Sequence, residues 1–227
     1  MKKLIKYFTK AELIIWCSSV VMILASFLIS QDSGVLGLIA SLIGVTALIL
    51  CAKGNPIGQV FMIVFCLMYT YISYTFSYYG EMITYACMSL PMAVFSLISW
   101  LRNPYKGNKA EVEVNRIKGK EYIFMILLNI VVTVVFYFTL KAFDTANLIV
   151  STFSITTSFG AAYLTFRRSP YYALWYAVND IVLIVLWTLA AMKDISYISV
   201  IMCFVTFLVN DIYGFVSWRK MEKRQNG

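Results

Sequence analysis

The sequence predicts an all-α integral membrane protein with about eight transmembrane helices. Three observations predict it. Sixty-one per cent of the 227 residues are apolar and only 13% are charged, where a soluble domain carries about 25% charged residues. The mean hydropathy is +0.78. The lysines and arginines collect on one side of a series of membrane-length apolar stretches.

A helix needs about 20 apolar residues to cross roughly 30 Å of hydrocarbon, because every backbone amide must be bonded inside the segment. Stretches of that length run approximately over Leu13–Ser30, Gly34–Ala52, Ile57–Tyr79, Glu81–Trp100, Tyr122–Leu140, Thr145–Phe166, Tyr171–Met192 and Ile195–Trp218. The connections are short except for the polar stretch from Leu101 to Lys120.

Basic residues orient such a chain. With the N-terminus inside, the inner face receives Lys2, Lys3, Lys6, Lys10 and Lys53, six basic residues of the long loop from Arg102 to Lys120, then Arg167 and Arg168, and finally Arg219, Lys220, Lys223 and Arg224. Those are seventeen of the 19; only Lys141 and Lys193 fall outside, beside Asp32, Glu81, Asp144 and Asp194. Both termini are therefore expected in the cytoplasm. The formal charge of +8 reflects orientation against anionic headgroups, not nucleic-acid binding, which needs basic residues gathered on one folded face. Residues 1–12 mix lysines with Leu4, Ile5, Tyr7 and Phe8 and are expected to lie along the interface. No small-residue cleavage site follows the first apolar run, so a cleaved signal peptide is not expected.

Histidine is absent and the five cysteines, at 17, 51, 66, 87 and 203, form no CxxC pair. Neither a metal site nor a disulfide framework is indicated, and the cysteines read as small packing residues.

The chain divides into two halves of four spans that start on the same side. The third span of each half is entered through a basic residue and a proline, Lys53-Gly54-Asn55-Pro56 and Arg167-Arg168-Ser169-Pro170. The fourth ends on Ser-Trp, at Ser99-Trp100 and Ser217-Trp218. Parallel repeats of this kind frame a pathway with its binding site near the midplane. Pro91 removes one helical hydrogen bond within the fourth span and acts as a hinge or as a fixed kink.

The most costly side chains lie in the last two spans. Asn179-Asp180 falls near a helix centre and Asn210-Asp211 nearer the inner end of the next helix. An Asp at a span centre costs about 2.5–3.5 kcal/mol, so these groups are expected to face the interior. Trp175 stands four residues before Asn179, and Trp187 seven after Asp180. Amide and carboxylate groups beside indole faces suit a flat heteroaromatic ligand bearing hydroxyls; a cationic ring gains cation–π attraction as well. The same Asn-Asp pairs also serve to lock helices together by hydrogen bonds, and the two readings stay open. In the first half, Gln59 and Tyr69 offer an opposite wall. Glu81, in an outer turn, reads as solvated, and Asn129 as a helix-to-helix hydrogen bond.

At these residues the chain resembles the PnuC family of nicotinamide riboside transporters. The likeness is carried by Ala52 through Gln59, Tyr78-Tyr79-Gly80-Glu81, Trp100 through Pro104, Trp175 through Asp180, and Asn210 through Phe215. It implies two parallel three-helix bundles, a linking helix and an extra N-terminal helix, in a fold related to the sugar-carrying SWEET proteins. Residues 13–100 would then hold the extra helix and first bundle, 101–121 a basic cytoplasmic loop, 122–144 the linker and an outer turn, 145–218 the second bundle, and 219–227 a basic tail. The resemblance further implies uptake by facilitated diffusion across a bacterial cytoplasmic membrane, trapping by a cytoplasmic kinase, a homotrimer and no cofactor. Ligand-binding candidates are Trp175, Asn179, Asp180, Trp187, Gln59, Tyr69, Asn210 and Asp211. Where Gram-negative members place an aspartate four residues after the tryptophan, this chain has Asn179, with Asp180 next.

Rival readings are a carrier of thiamine or riboflavin, a SWEET-like sugar carrier, and a membrane-embedded enzyme. The last lacks support: there is no histidine for a Ser–His protease, no closely spaced aspartate set for a CDP-alcohol phosphotransferase, and no Walker A sequence for an ATP-driven pump. No ring of charge or repeated filter sequence indicates a channel.

Overall fold

The computed structural model describes residues 7–30, 35–192 and 195–227. Eight helices in it are long and apolar enough to cross a bilayer. They are α1 (Lys10–Ser30), α2 (Val35–Ala52), α3 (Ile57–Thr75), α4 (Tyr79–Arg102), α5 (Gly119–Ala142), α6 (Leu148–Phe166), α7 (Tyr172–Ala191) and α8 (Ile198–Asn226). Asp32, Lys193, Asp194 and residues 1–6 of the expected interfacial segment fall outside the described residues.

Burial is inverted relative to a soluble protein. Large apolar side chains such as Ile14, Leu28, Ile123, Leu127 and Phe138 are exposed. Buried polar groups such as Gln59, Asn179, Asp180 and Asp211 are inside. Hydrocarbon around the protein explains both, since polar groups there must find partners within the fold.

The packing order is a ring. Within the first half α2 packs on α3 and α3 on α4; within the second, α6 packs on α7 and α7 on α8. Two further contacts, α4 with α6 and α8 with α2, close the ring between the bundles. Helix α1 lies outside against α2 and α8, and α5 lies outside against α6.

The two halves repeat at the level of single backbone bonds. Gly54 (φ +66°) and Arg168 (φ +57°) occupy the same left-handed position after α2 and α6. Around them Asn55 N–H donates to Leu50 C=O as Ser169 N–H donates to Leu164 C=O. Gly58 N–H donates to Asn55 C=O as Tyr172 N–H donates to Ser169 C=O. Glycine adopts this backbone without strain; Arg168 carries the cost of about 1 kcal/mol or more that a side chain brings there.

Four features depart from the sequence expectation. Helix α1 starts at Lys10 rather than Leu13, because Thr9 and Glu12 form a reciprocal cap: Thr9 N–H donates to Glu12 (2.7 Å) and Glu12 N–H to the Thr9 hydroxyl (3.3 Å). Tyr7 and Phe8 fold over the Lys53 ammonium instead of lying free at an interface. In the long loop, strands β1 (Pro104–Tyr105) and β2 (Asn108–Val112) make an antiparallel hairpin through Lys106-Gly107, both with positive φ. In α4, a wide π-helical stretch at Thr84–Ser89 sits just before Pro91, where the missing proline N–H interrupts the regular ladder.

Candidate functional site

The helical ring encloses a cavity of about 320 Å³, within the usual span for small-molecule sites of about 300–1,000 Å³. It runs from Cys51, Thr165 and Tyr172 near the end bearing the basic loops to Glu81, Thr145 and Ser199 near the opposite end.

On α7 the lining positions are Tyr172, Tyr176, Asn179, Asp180, Leu183, Leu186 and Trp187, a single stripe at helical spacing. Asn179 Oδ1 accepts hydrogen bonds from Ser154 (3.0 Å) and Thr157 (2.8 Å) on α6. Both hydroxyls hold the amide by its oxygen, so Asn179 presents its N–H₂ to the cavity as a donor. Gln59 points the other way: its Nε2 donates to Cys51 Sγ (3.3 Å), which leaves the oxygen as an acceptor.

Asp180 on α7 and Asp211 on α8, 4% and 5% exposed, both line the cavity and lie within electrostatic reach of one another. Asp180 Oδ2 has no partner, so one acceptor remains unsatisfied inside the ring. Glu81 lines the same cavity, which corrects its reading as a solvated turn residue. No lysine or arginine lines the cavity among the described residues.

The facing wall is aromatic. Phe65 and Tyr69 lie 4.6 Å apart and Tyr69 and Tyr85 5.2 Å apart, centroid to centroid, with Phe207 at 6.3 Å from Phe65. Counted from the two equivalent prolines, Phe65 occupies the place of Asn179 and Cys66 that of Asp180. One repeat thus lends an apolar wall and the other a polar one. Cys51, Cys66 and Cys203 also line the cavity, so these three do more than fill space between helices.

Two of the expected ligand residues are elsewhere. Trp175 does not line the cavity. Its ring covers Gly160 of α6, where an added Cβ would stand 2.5 Å from Cε3 and Cζ3. Helical side chains tilt toward the N-terminus, so Trp175 falls a turn below Asn179, against the core group that includes Met125 and Tyr163. Asn210 faces outward to α1, with its Nδ2 donating to Ser19 Oγ and Thr206 C=O, both at 2.9 Å. Adjacent helical residues point about 100° apart, so with Asp211 inside Asn210 becomes the clamp. Asn129 is buried, and its Oδ1 bonds to no other helix. Tyr172 and Tyr176 were missed by residue chemistry alone; their spacing from Asn179 and Trp187 was the signal.

A family model described as Nicotinamide mononucleotide transporter matches residues 34–220. The chain belongs to that family. Among members of the nicotinamide mononucleotide transporter family, it is similar to the nicotinamide riboside transporter PnuC of Neisseria mucosa, 27% identical over 206 residues that cover 88% of this chain and 78% of that one. The nicotinamide riboside transporter PnuC of Haemophilus influenzae is 25% identical over 221 residues, 93% of this chain and 94% of that one. A crystal structure of the vitamin B3 transporter PnuC superposes with a TM-score of 0.80 at 23% identity, covering 96% and 94% of the two chains, and so shares the fold. Helix α1 precedes the segment matched to the family. Even so, its Ile23, Ser26 and Phe27 reach the cavity wall.

Proposed function

We propose that this protein carries nicotinamide riboside into the cell by alternating access, without an energy source of its own. The observation that carries the reading is the cavity's electrostatic and shape pairing. The Asp180–Asp211 pair faces an aromatic wall, an amide donor and an amide acceptor stand nearby, and among the described residues no cation lines the space. A positively charged pyridinium suits the aromatic faces and the carboxyl pair. Its carboxamide can donate to Gln59 and accept from Asn179, while ribose hydroxyls suit the serines of α6. Asn179, Asp180, Asp211, Gln59, Tyr69 and Trp187 are the ligand-binding residues of this reading; Trp175 and Asn210 support the helices.

The mononucleotide in the family's description adds a phosphate. A buried phosphate needs a paired cation or several charge-assisted donors, and this cavity supplies acids instead. That favours the unphosphorylated riboside. A neutral sugar can donate its hydroxyls to the carboxyls but gains no charge attraction from them, which favours a cationic ring over a hexose. The basic face is then cytoplasmic, where anionic lipid and the positive-inside rule place it. A cytoplasmic kinase traps the entered riboside, and protomers assemble as trimers in a bacterial cytoplasmic membrane; both follow the family resemblance. No enzymatic step is included.

Proteoliposomes containing the full chain and no kinase should equilibrate labelled riboside and stop at equal concentrations. Accumulation driven by a sodium or proton gradient would overturn the passive mechanism. Thermal melts with riboside, mononucleotide, thiamine, riboflavin and a hexose should show a shift with riboside alone.

A further inference from the structure

Below the cavity, toward the basic face, two tryptophans from equivalent places in the two repeats meet. Trp100 and Trp218 are both 0% exposed, with ring centroids 5.4 Å apart. Trp100 Nε1–H on α4 donates to the C=O of Thr165 on α6 at 2.9 Å. Trp218 Nε1–H on α8 donates to the C=O of Cys51 on α2 at 2.8 Å. Cys51 and Thr165 stand at the same distance before the two equivalent prolines. The bonds are therefore one interaction used twice, and each crosses from one bundle to the other.

Their position decides their meaning. Cys51 and Thr165 line the cavity's lower end, so the indoles are the layer immediately beneath it. Tyr172 seals the same layer, edge-on to Trp218 at 5.0 Å. Under the tryptophans, the end of the hairpin and the chain just after it tie both repeats: Val112 N–H donates to Gly54 C=O (2.9 Å) and Asn115 N–H to Arg168 C=O (3.0 Å). Those two carbonyls belong to the paired left-handed turns. At the far end the bundles meet through an exposed hydroxyl contact, Tyr78 with Tyr197 at 3.0 Å, where water competes.

We propose that Trp100 and Trp218 are the two leaves of the cytoplasmic gate of this transporter. Solute passes to the cytoplasm only when both indole–carbonyl bonds and the ring contact part together, while the Val112–Asn115 segment keeps the bundles tethered. Both bonds span the same boundary, so rocking one bundle against the other breaks them in one movement. The proposal rests on the transport reading above.

The test is alkylation of Cys51 by a membrane-impermeant sulfonated maleimide, added to the cytoplasmic face of inside-out vesicles holding the full chain. Mass spectrometry resolves Cys51 from the other four cysteines. W100F and W218F keep a ring but lose the donor. Each should speed alkylation of Cys51 about tenfold, the effect of one buried hydrogen bond of about 1.4 kcal/mol, and the double variant should exceed either. Unchanged rates in well-folded variants would make the pair mere packing and overturn the gate. The unsubstituted chain supplies a second reading that does not depend on variant folding. Vesicles exchanging tracer riboside must also alkylate Cys51 from the cytoplasmic face, because both need the same opening. Exchange without alkylation overturns the gate and leaves the transport reading standing. Absence of any riboside exchange overturns the transport reading, while the variants' alkylation rates still decide whether the tryptophans close that end.

Discussion

Asn179 and Trp175 stand one helical turn apart, yet alanine at each should give opposite signatures. Asn179→Ala removes the donor offered to the ligand and the acceptor of the Ser154 and Thr157 hydroxyls. Thr157 can turn its single O–H to the carbonyl of Phe153 or Ser154, so only Ser154 is left short. The stability cost is then about 1–2 kcal/mol, a drop of roughly 3–6 °C in melting temperature for a chain of this size. Binding should suffer more, because a carboxamide oxygen enters the cavity without its donor. Riboside Kd should rise about ten- to hundredfold. Trp175→Ala empties the volume over Gly160 and should cost about 3–5 kcal/mol of stability, with Kd within about threefold of the original. Calorimetric titration and thermal melts of the detergent-purified protein measure both quantities. If Trp175→Ala abolishes binding at an unchanged melting temperature while Asn179→Ala binds normally, the assignment of cavity face and packing face on α7 is wrong.

Three more perturbations follow from the same geometry. Gly160→Val pushes a side chain into the Trp175 ring and should lower stability by about 3 kcal/mol, read as a loss of melting temperature that Gly160→Ala shows in milder form. Glu12→Gln deprives Lys53 of its anion and Tyr213 of its charged acceptor. It should cost about 3 kcal/mol, against about 1 kcal/mol for Ser19→Ala, where Asn210 keeps its bond to Thr206. Asp211→Asn should weaken binding of the cationic riboside about tenfold and leave a neutral dihydropyridine riboside within about twofold; equal losses for both would remove charge recognition from the site.

The number of the helices was legible in the sequence because hydrocarbon imposes a strict demand, an unbroken apolar length. The prolines at 56 and 170 marked equivalent helix starts for a local reason, since proline fits the first turn. Side-chain direction was harder to read. A spacing of four put Trp175 and Asn179 on one face, but a face is broad, and a large ring settles where a gap exists, which here is over Gly160. Asn210 and Asp211 were indistinguishable by chemistry until α1 was seen to pack on that side of α8. The hairpin was signalled by Lys106-Gly107 but looked like loop, since its two short strands bury little and gain their order from neighbours: Val112 on Gly54, Val114 on Gln225, and Arg116 on Glu222. Glu81 looked solvated because it opens a helix at the outer rim, and only the closed ring shows that rim turning inward.

The two repeats are alike where the backbone is concerned and unlike where a solute would touch. The left-handed turns at Gly54 and Arg168 and the crossed indole bonds of Trp100 and Trp218 match position by position. The walls do not, for Phe65 and Cys66 stand where the other half has Asn179 and Asp180. A mobile interface between bundles gains from identical contacts on both sides of its axis, since equal bonds break at equal displacement and neither edge tears first. A binding wall gains from the opposite, because a solute with a flat cationic ring at one end and hydroxyls at the other has no two-fold axis of its own. Matched walls would force one end of such a solute against the wrong chemistry, burying a polar group without a partner at about 1–3 kcal/mol. Symmetric contacts between the bundles around an asymmetric pocket let one repeated frame serve both sides and still discriminate the ends of a solute.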